Sequence, residues 1–311
     1  MINKLNSLKA FYLKESKKLD WLKEPKIAIR QDKNNHYTWF PDGQLNLYEN
    51  CITKYLKKKS NKIAIITVDK NKDIKKYNLS EIDRKVNNAA NYIKQLSPKK
   101  NLKIMIHASA SIESAVLMLA CAKLGLHFSV IFEELEALGI KNRLKIFKPN
   151  IFFTRIHKKN FLEKIKFGLP ITTKFIYGKD IKKILDKKNN FEIKNENNNS
   201  SKSLFTLFTS GSTGTPKGIT HSTGGYLLYS KLTCQEQFGI NENSIVLTAS
   251  DAGWINGHTY SLFGPLSLGS TTILIEKPIS LVDIKLFKKI LALKVSVIYL
   301  PVTLIRLIKS L

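Results

Sequence analysis

The residues best equipped for chemistry in this chain are Thr206-Leu207-Phe208-Thr209-Ser210-Gly211-Ser212-Thr213-Gly214-Thr215-Pro216-Lys217-Gly218. Hydroxyls, glycines and one lysine alternate there, a mixture suited to holding a polyphosphate. Glycines let backbone N–H groups approach anionic oxygens, hydroxyls add donors, and lysine adds positive charge. The run is not a Walker A loop, which needs Gly-Lys-Ser/Thr, because Lys217 stands between Pro216 and Gly218. A flexible Ser/Thr/Gly linker is the plain alternative, but linkers rarely sit between an apolar strand and a helix or leave through Pro-Lys-Gly. A second concentration is Ala249-Ser250-Asp251-Ala252-Gly253-Trp254-Ile255-Asn256-Gly257-His258-Thr259-Tyr260. Trp254 alone could be an ordinary core aromatic; Gly253, Gly257 and His258 around it favour a site.

Alternating strand and helix patterns must position these motifs. The first stretch, to about Asp32, reads as a Lys-rich helical lead-in, and a Pro41-Asp42-Gly43 turn then separates Trp39-Phe40 from a helix start. Strands are expected at Ile63–Val68, Tyr77–Leu79, Leu102–His107, His127–Phe132, Ile151–Thr154 and Lys174–Tyr177. Helices are expected after a Ser80 cap, over Ser111–Leu124 and over Glu133–Phe147. The polar run from Asp186 to Lys202 has almost nothing to bury and reads as a solvated linker. Beyond it come strands at Leu204–Phe208, Ile245–Ala249, Thr271–Glu276 and Val295–Leu300, a helix over Gly224–Phe238, and a last helix opened by Pro301. The pattern predicts an α/β fold with largely parallel sheets. Its expected divisions are a lead-in over 1–60, a first α/β unit over 61–185, a linker over 186–202, and the start of a second α/β unit over 203–311.

Composition narrows the function. The chain has 311 residues, 43% hydrophobic and 24% charged, which excludes wholesale disorder and collagen-like repeats. No apolar run reaches the roughly 18 residues of a membrane span, and the N-terminus lacks the apolar stretch of a secretory signal, so a cytoplasmic protein without membrane partners is expected. Cys51, Cys121 and Cys234 are far apart, without CxxC spacing, and read as reduced thiols rather than metal ligands; no residue is assigned to a metal. The net charge of +27 invites a nucleic-acid reading. Against it, only five basic residues are arginine (Arg30, Arg84, Arg143, Arg155, Arg306), and the lysine excess accompanies abundant asparagine, the bias AT-rich coding produces. No nucleic-acid partner is expected.

The glycine- and hydroxyl-rich loop resembles the phosphate-binding signature of the adenylate-forming ligases, which include AMP-forming acyl-CoA synthetases. His221-Ser222-Thr223-Gly224-Gly225-Tyr226, the Trp254 motif, Gly264-Pro265-Leu266, Trp39-Phe40 and Met118-Leu119-Ala120-Cys121-Ala122-Lys123-Leu124-Gly125 are similar to the acetyl-CoA and propionyl-CoA synthetase branch. The resemblance extends from about Trp21 onward. It implies ATP-dependent ligation of a short-chain acid, acetate or propionate, to CoA through an acyl-adenylate, with ATP, Mg²⁺ and CoA required. Other adenylating ligases, for acetoacetate or longer acids, and a non-catalytic nucleotide-binding remnant stay open as alternatives. By resemblance, Thr209, Ser210, Gly211, Ser212, Thr213, Gly214 and Lys217 grip the β- and γ-phosphates, and Lys217 is the catalytic side chain assigned. Trp254 stands beside the acyl and pantetheine channel, Ile255 and Asn256 line the acyl pocket, and Gly257 and His258 complete it. His258 receives no general-base role, because a carboxylate substrate is already ionised at neutral pH.

Two departures from that family matter. Phe132-Glu133-Glu134-Leu135-Glu136 stands where the family has a Phe-Gly-Gly-Phe-Ser turn near the CoA entrance, and its carboxylates would repel a polyanion; Arg155, Lys158 and Lys159 are the nearby compensating cations. Family members are also much longer. The expectation is therefore an N-terminal portion, truncated before its second subdomain is complete, inactive alone, and with a companion chain carrying the remaining part as a candidate partner.

Overall fold

Short β-branched and aromatic runs bounded by polar turns form the strands of two principal sheets. The computed structural model describes residues 2–97, 99, 101–156, 159–166, 173–189, 191–209 and 215–310. In chain order, α1 (Ile2–Ser16) precedes β1 (Ile29–Gln31), β2 (Tyr37–Trp39), β3 (Gln44–Leu45) and α2 (Lys54–Lys59). Next come β4 (Ile63–Val68), β5 (Ile74–Asn78), α3 (Leu79–Leu96), β6 (Lys103–His107), α4 (Ile112–Lys123), β7 (His127–Ile131), α5 (Ala137–Phe147) and β8 (Ile151–Thr154). They are followed by α6 (Lys159–Lys166), β9 (Lys174–Tyr177), α7 (Gly178–Leu185), β10 (Asn198–Asn199), β11 (Ser203–Thr209), β12 (Lys217–Ser222) and α8 (Thr223–Phe238). The remainder is β13 (Ile245–Thr248), α9 (Ile255–His258), α10 (Gly264–Ser267), β14 (Thr271–Ile275), α11 (Ile284–Leu291), β15 (Val297–Tyr299) and α12 (Val302–Lys309).

One sheet has the order β12-β11-β7-β6-β8-β9 and the other β15-β13-β14-β4-β5. Neighbours are parallel except in the hairpins β11–β12 and β4–β5. Strands such as β8 and β14 are buried at every position, as parallel strands covered on both faces require. Between Ser114 and Lys123 every residue of α4 is buried, so its surface is apolar almost all round. Ser111 caps this helix, its hydroxyl accepting from the Ser114 amide at 3.3 Å.

Three expectations need correction. The boundary between 61–185 and 203–311 does not separate the sheets: β4 and β5 join β14, while β11 and β12 join β7. Closing a longer loop costs only logarithmically more entropy, so distant strands pair where both their faces can be buried. The helix after β5 is capped by Asn78, not Ser80; Asn78 accepts from the Glu81 amide at 2.8 Å and donates its own amide to the Glu81 carboxylate at 2.9 Å. The run 186–202 is not a free linker. β10 pairs with β3, and the Asn46 amide donates to the Glu196 carbonyl at 2.7 Å and to the Lys123 carbonyl at 3.0 Å. Ser200 is fully buried, with its hydroxyl bonded to the Phe40 carbonyl. A polar segment is held here by backbone bonds rather than by apolar burial.

Candidate functional site

The phosphate-loop motif spans two antiparallel strands, β11 and β12, rather than a strand and a helix. Thr209 opposes Lys217, and both are exposed. Ser210, Gly211, Ser212, Thr213 and Gly214 lie outside the described residues. Further along the pair, Thr206 bonds Thr220 at 2.7 Å and His127 at 2.8 Å, tying both strands to β7. Gly218 leaves room for the Thr206 methyl, which a Cβ would meet at 3.0 Å.

The Trp254 motif follows β13 and is shaped by Asp251. This carboxylate accepts from the Gly253 amide at 2.8 Å, while the Asp251 carbonyl accepts from the Trp254 amide at 3.1 Å. Gly257 packs so closely on that carbonyl that a Cβ would stand 2.1 Å from it. Burial raises the Asp251 carboxyl to about 6 against the pull of the Gly253 amide, with Glu134 and Glu133 adding to the rise. The extended backbone of Trp254 (φ −98°, ψ 153°) sends its ring and the Ile255 side chain toward different spaces.

Trp254, 59% exposed, lies 5.4 Å from the Phe132 ring on a cavity of about 540 Å³ shared with Glu134, Asp251, Glu276 and Lys277. Ile255 lines a separate cavity of about 560 Å³ with Trp39, Thr220, His221, Tyr226 and Thr259. Asn256 donates to the Tyr299 hydroxyl at 3.3 Å. Asn256, Gly257 and His258 border neither cavity. The His258 ring is fully buried, 4.5 Å from Phe205 and stacked at 5.9 Å on Phe128, and neither ring nitrogen has a hydrogen-bond partner among the described residues. Burial pushes it down to about 3, so it is a neutral core ring.

At the Phe132–Glu136 turn the structure answers how the acidic replacements are tolerated. Arg155 lies 3.4 Å from the Glu133 carboxylate and 3.0 Å from Glu276, and it donates to the Ser109 hydroxyl at 2.6 Å. Glu133 also accepts from the Ser109 amide at 3.0 Å. Burial nonetheless raises Glu276 above its ordinary value against the pull of Arg155, and the nearby Glu113 and Glu133 add to the rise. Glu134 and Glu136 form no ion pair among the described residues. Lys158 lies outside the described residues. Sequence reasoning missed Asp251, whose signal is the Asp-Ala-Gly turn, and Glu276, which no local pattern marks.

Residues 52–310 match the family model "AMP-binding enzyme" and residues 4–51 match "Acetyl-coenzyme A synthetase N-terminus". The acetyl-coenzyme A synthetase of Helicobacter pylori (strain P12) is 30% identical over 293 residues, covering 86% of this chain and 44% of that protein. The acetyl-coenzyme A synthetase of Marinomonas sp. (strain MWYL1) is 32% identical over 295 residues, covering 86% and 45%. The chain thus spans under half the length of these relatives. The crystal structure of Brucella canis acyl-CoA synthetase superposes with a TM-score of 0.76 at 18% identity, covering 87% of this chain and 50% of that one. That superposition identifies the α/β fold as the one found in an acyl-CoA synthetase.

Proposed function

The chain belongs to the AMP-binding enzyme family, and from that premise we propose that it is the N-terminal part of an AMP-forming acid–CoA ligase of the cytoplasm, acting on acetate or propionate. The supporting observation is that β12, which begins at Lys217, lines the Ile255 cavity through Thr220, His221 and Ser222. The strand that begins at Lys217 and the residue assigned to the acyl group therefore share one wall. In this reading a carboxylate oxygen attacks the α-phosphorus of ATP and pyrophosphate leaves. The CoA sulfur then attacks the acyl carbon and AMP leaves. Lys217 and Thr209, with Ser210, Gly211, Ser212, Thr213 and Gly214, hold the β- and γ-phosphates as charge develops on the leaving pyrophosphate. Magnesium would supply further charge neutralisation. It would be held by the nucleotide phosphates and the waters it keeps; among the described residues no group of three His, Cys, Asp or Glu side chains could hold a metal ion. Among the described residues no helix is long and apolar enough to cross a membrane.

One observation favours longer acids as a second reading: the Ile255 cavity, at about 560 Å³, far exceeds what acetate fills. The test is a hybrid in which residues 1–311 continue into the C-terminal part of the Helicobacter pylori relative. ATP–pyrophosphate exchange is expected with acetate and propionate above butyrate, with a loss of about 100-fold in Lys217→Ala and broadened acid use in Ile255→Ala. Undiminished exchange in Lys217→Ala would remove the lysine from the site. Preference for hexanoate would select the longer-acid reading.

A further inference from the structure

β12 is an edge strand, and the two-residue alternation of a strand sorts its side chains. Lys217, Ile219 and His221 share one face, opposite Thr209, Leu207 and Phe205 of β11. From Lys217 to His221 the strand covers about 13 Å. The face that begins at the lysine assigned to the phosphates thus ends in an imidazole on the wall of the Ile255 cavity. The His221 ring lies 4.9 Å from Phe205 and 5.9 Å from Tyr226, and neither of its nitrogens has a hydrogen-bond partner among the described residues. Hydroxyls beside it are engaged already: Thr220 with Thr206 at 2.7 Å, and Thr259 with Tyr226 at 3.2 Å.

Among the described residues His221 is the one side chain on this wall able to become a cation, since no lysine or arginine borders the cavity and no carboxylate does either. The other titratable groups there are phenols: Tyr12 from α1, Tyr37 from β2, and Tyr226 and Tyr229 from α8. His258 of α9 lies nearby, 4.5 Å from the same Phe205 ring, and burial keeps it neutral. Burial also lowers His221, so its ring is uncharged at pH 7 until an anion arrives. A carboxylate that left water for these walls would need a counter-charge. We infer that His221 receives the substrate carboxylate in the Ile255 cavity, the acid and one proton from solvent entering together to form an imidazolium–carboxylate pair. The inference rests on the reading above that the chain handles a carboxylic acid and that this cavity takes its acyl group. When the carboxylate oxygen bonds to the α-phosphorus, its charge is lost and the ring returns the proton to solvent. Acid binding therefore strengthens as pH falls through the raised value of the occupied ring and weakens above it.

NMR of the 311-residue chain with labelled histidine, titrated with and without propionate, reads the proton directly. The pKa of His221 is expected to rise by about one unit or more in propionate and to stay unchanged in propionamide, which has the same shape and no charge; exposed His36 is the internal control. In the hybrid described above, KM for propionate should fall at least about 3-fold from pH 8 to pH 6.5, and in His221→Asn it should be higher and flat. If His221→Asn fails to fold, His221→Gln serves the same comparison. Propionate that moves the Trp39 indole resonance while the His221 pKa stays put would overturn the inference and leave the proposed function standing. So would a pH dependence of KM that survives in His221→Asn, or one that Lys217→Ala removes, which would give the carboxylate to the lysine. No response of either Trp39 or His221 to propionate would overturn it as well, because the cavity would then not take the acid. A His221 shift in propionate together with a hybrid that lacks ATP–pyrophosphate exchange would remove the proposed function and leave the carboxylate site standing.

Discussion

The cavities beside Trp254 and Ile255 are separated by one peptide unit and differ in almost every chemical respect. On the Trp254 side, Glu134, Asp251 and Glu276 stand against Lys277, and Arg155 pairs Glu276 with Glu133 behind them. On the Ile255 side, among the described residues, no carboxylate, lysine or arginine reaches the wall; aromatic rings, Leu228, Leu232 and the hydroxyls of Thr220, Ser222 and Thr259 line it, and burial pushes the His221 ring down, favouring its neutral form. A charged and a neutral environment can lie this close because the extended Trp254 backbone turns successive side chains to opposite sides. The lesson is that the motif divides two spaces rather than lining one.

The most damaging way to break that division is Gly257→Val, which places a branched side chain where a Cβ already stands 2.1 Å from the Asp251 carbonyl. The turn must open, and a loss above about 4 kcal/mol in urea denaturation is expected. Gly253→Ala and Gly225→Ala test each side separately. Their Cβ atoms would meet the Phe132 ring at 2.7 Å and the Trp39 side chain at 2.9 Å, and each should cost about 1–3 kcal/mol.

Arg155→Met is expected to have an intermediate effect, confined to the acidic side. It leaves Glu133 and Glu276 without their cation, a loss of about 2–3 kcal/mol at pH 8 that shrinks as falling pH protonates Glu276, whose carboxyl is already raised by burial. Stability unchanged at pH 8 would show that the pairing contributes nothing.

The smallest effect is a pair of opposed pH slopes. Asp251, raised to about 6, binds more protons folded than unfolded between its ordinary value and 6, so it adds stability as pH falls through that window. His258, lowered to about 3, binds fewer protons folded than unfolded below 6.5, so it removes stability over the same fall. Each slope is at most about 1.4 kcal/mol per pH unit, and between pH 6 and 5 they largely cancel. Asp251→Asn should steepen the loss on acidification, and His258→Leu should turn it into a gain; identical slopes in both variants would refute the pairing.

The strands of the buried sheets were legible because β-branched runs between polar turns mark them: β4, β8 and β9 have the expected bounds. β12 was not legible. Lys217-Gly218-Ile219-Thr220-His221-Ser222 is largely exposed and has no apolar face, so it read as part of a loop. The exchange of strands between sheets left no local trace either, since Ile65 pairs with Thr272 far along the chain. In the site, the residue types around Trp254 were visible, but the depth of His258 was not. Its neighbours Phe128 and Phe205 come from β7 and β11, and only the folded sheets bring them together.

Pairing of β4 with β14 also sets a timetable for synthesis. The strand at Ile63–Val68 leaves the ribosome long before its partner at Thr271–Ile275, a delay of roughly 10 to 40 s at ordinary rates of translation. For that interval the β4–β5 hairpin must present an unpaired apolar strand to the cell. The nascent chain cannot complete its first sheet-forming unit before starting the next, and chaperone engagement should concentrate on this stretch until β14 emerges.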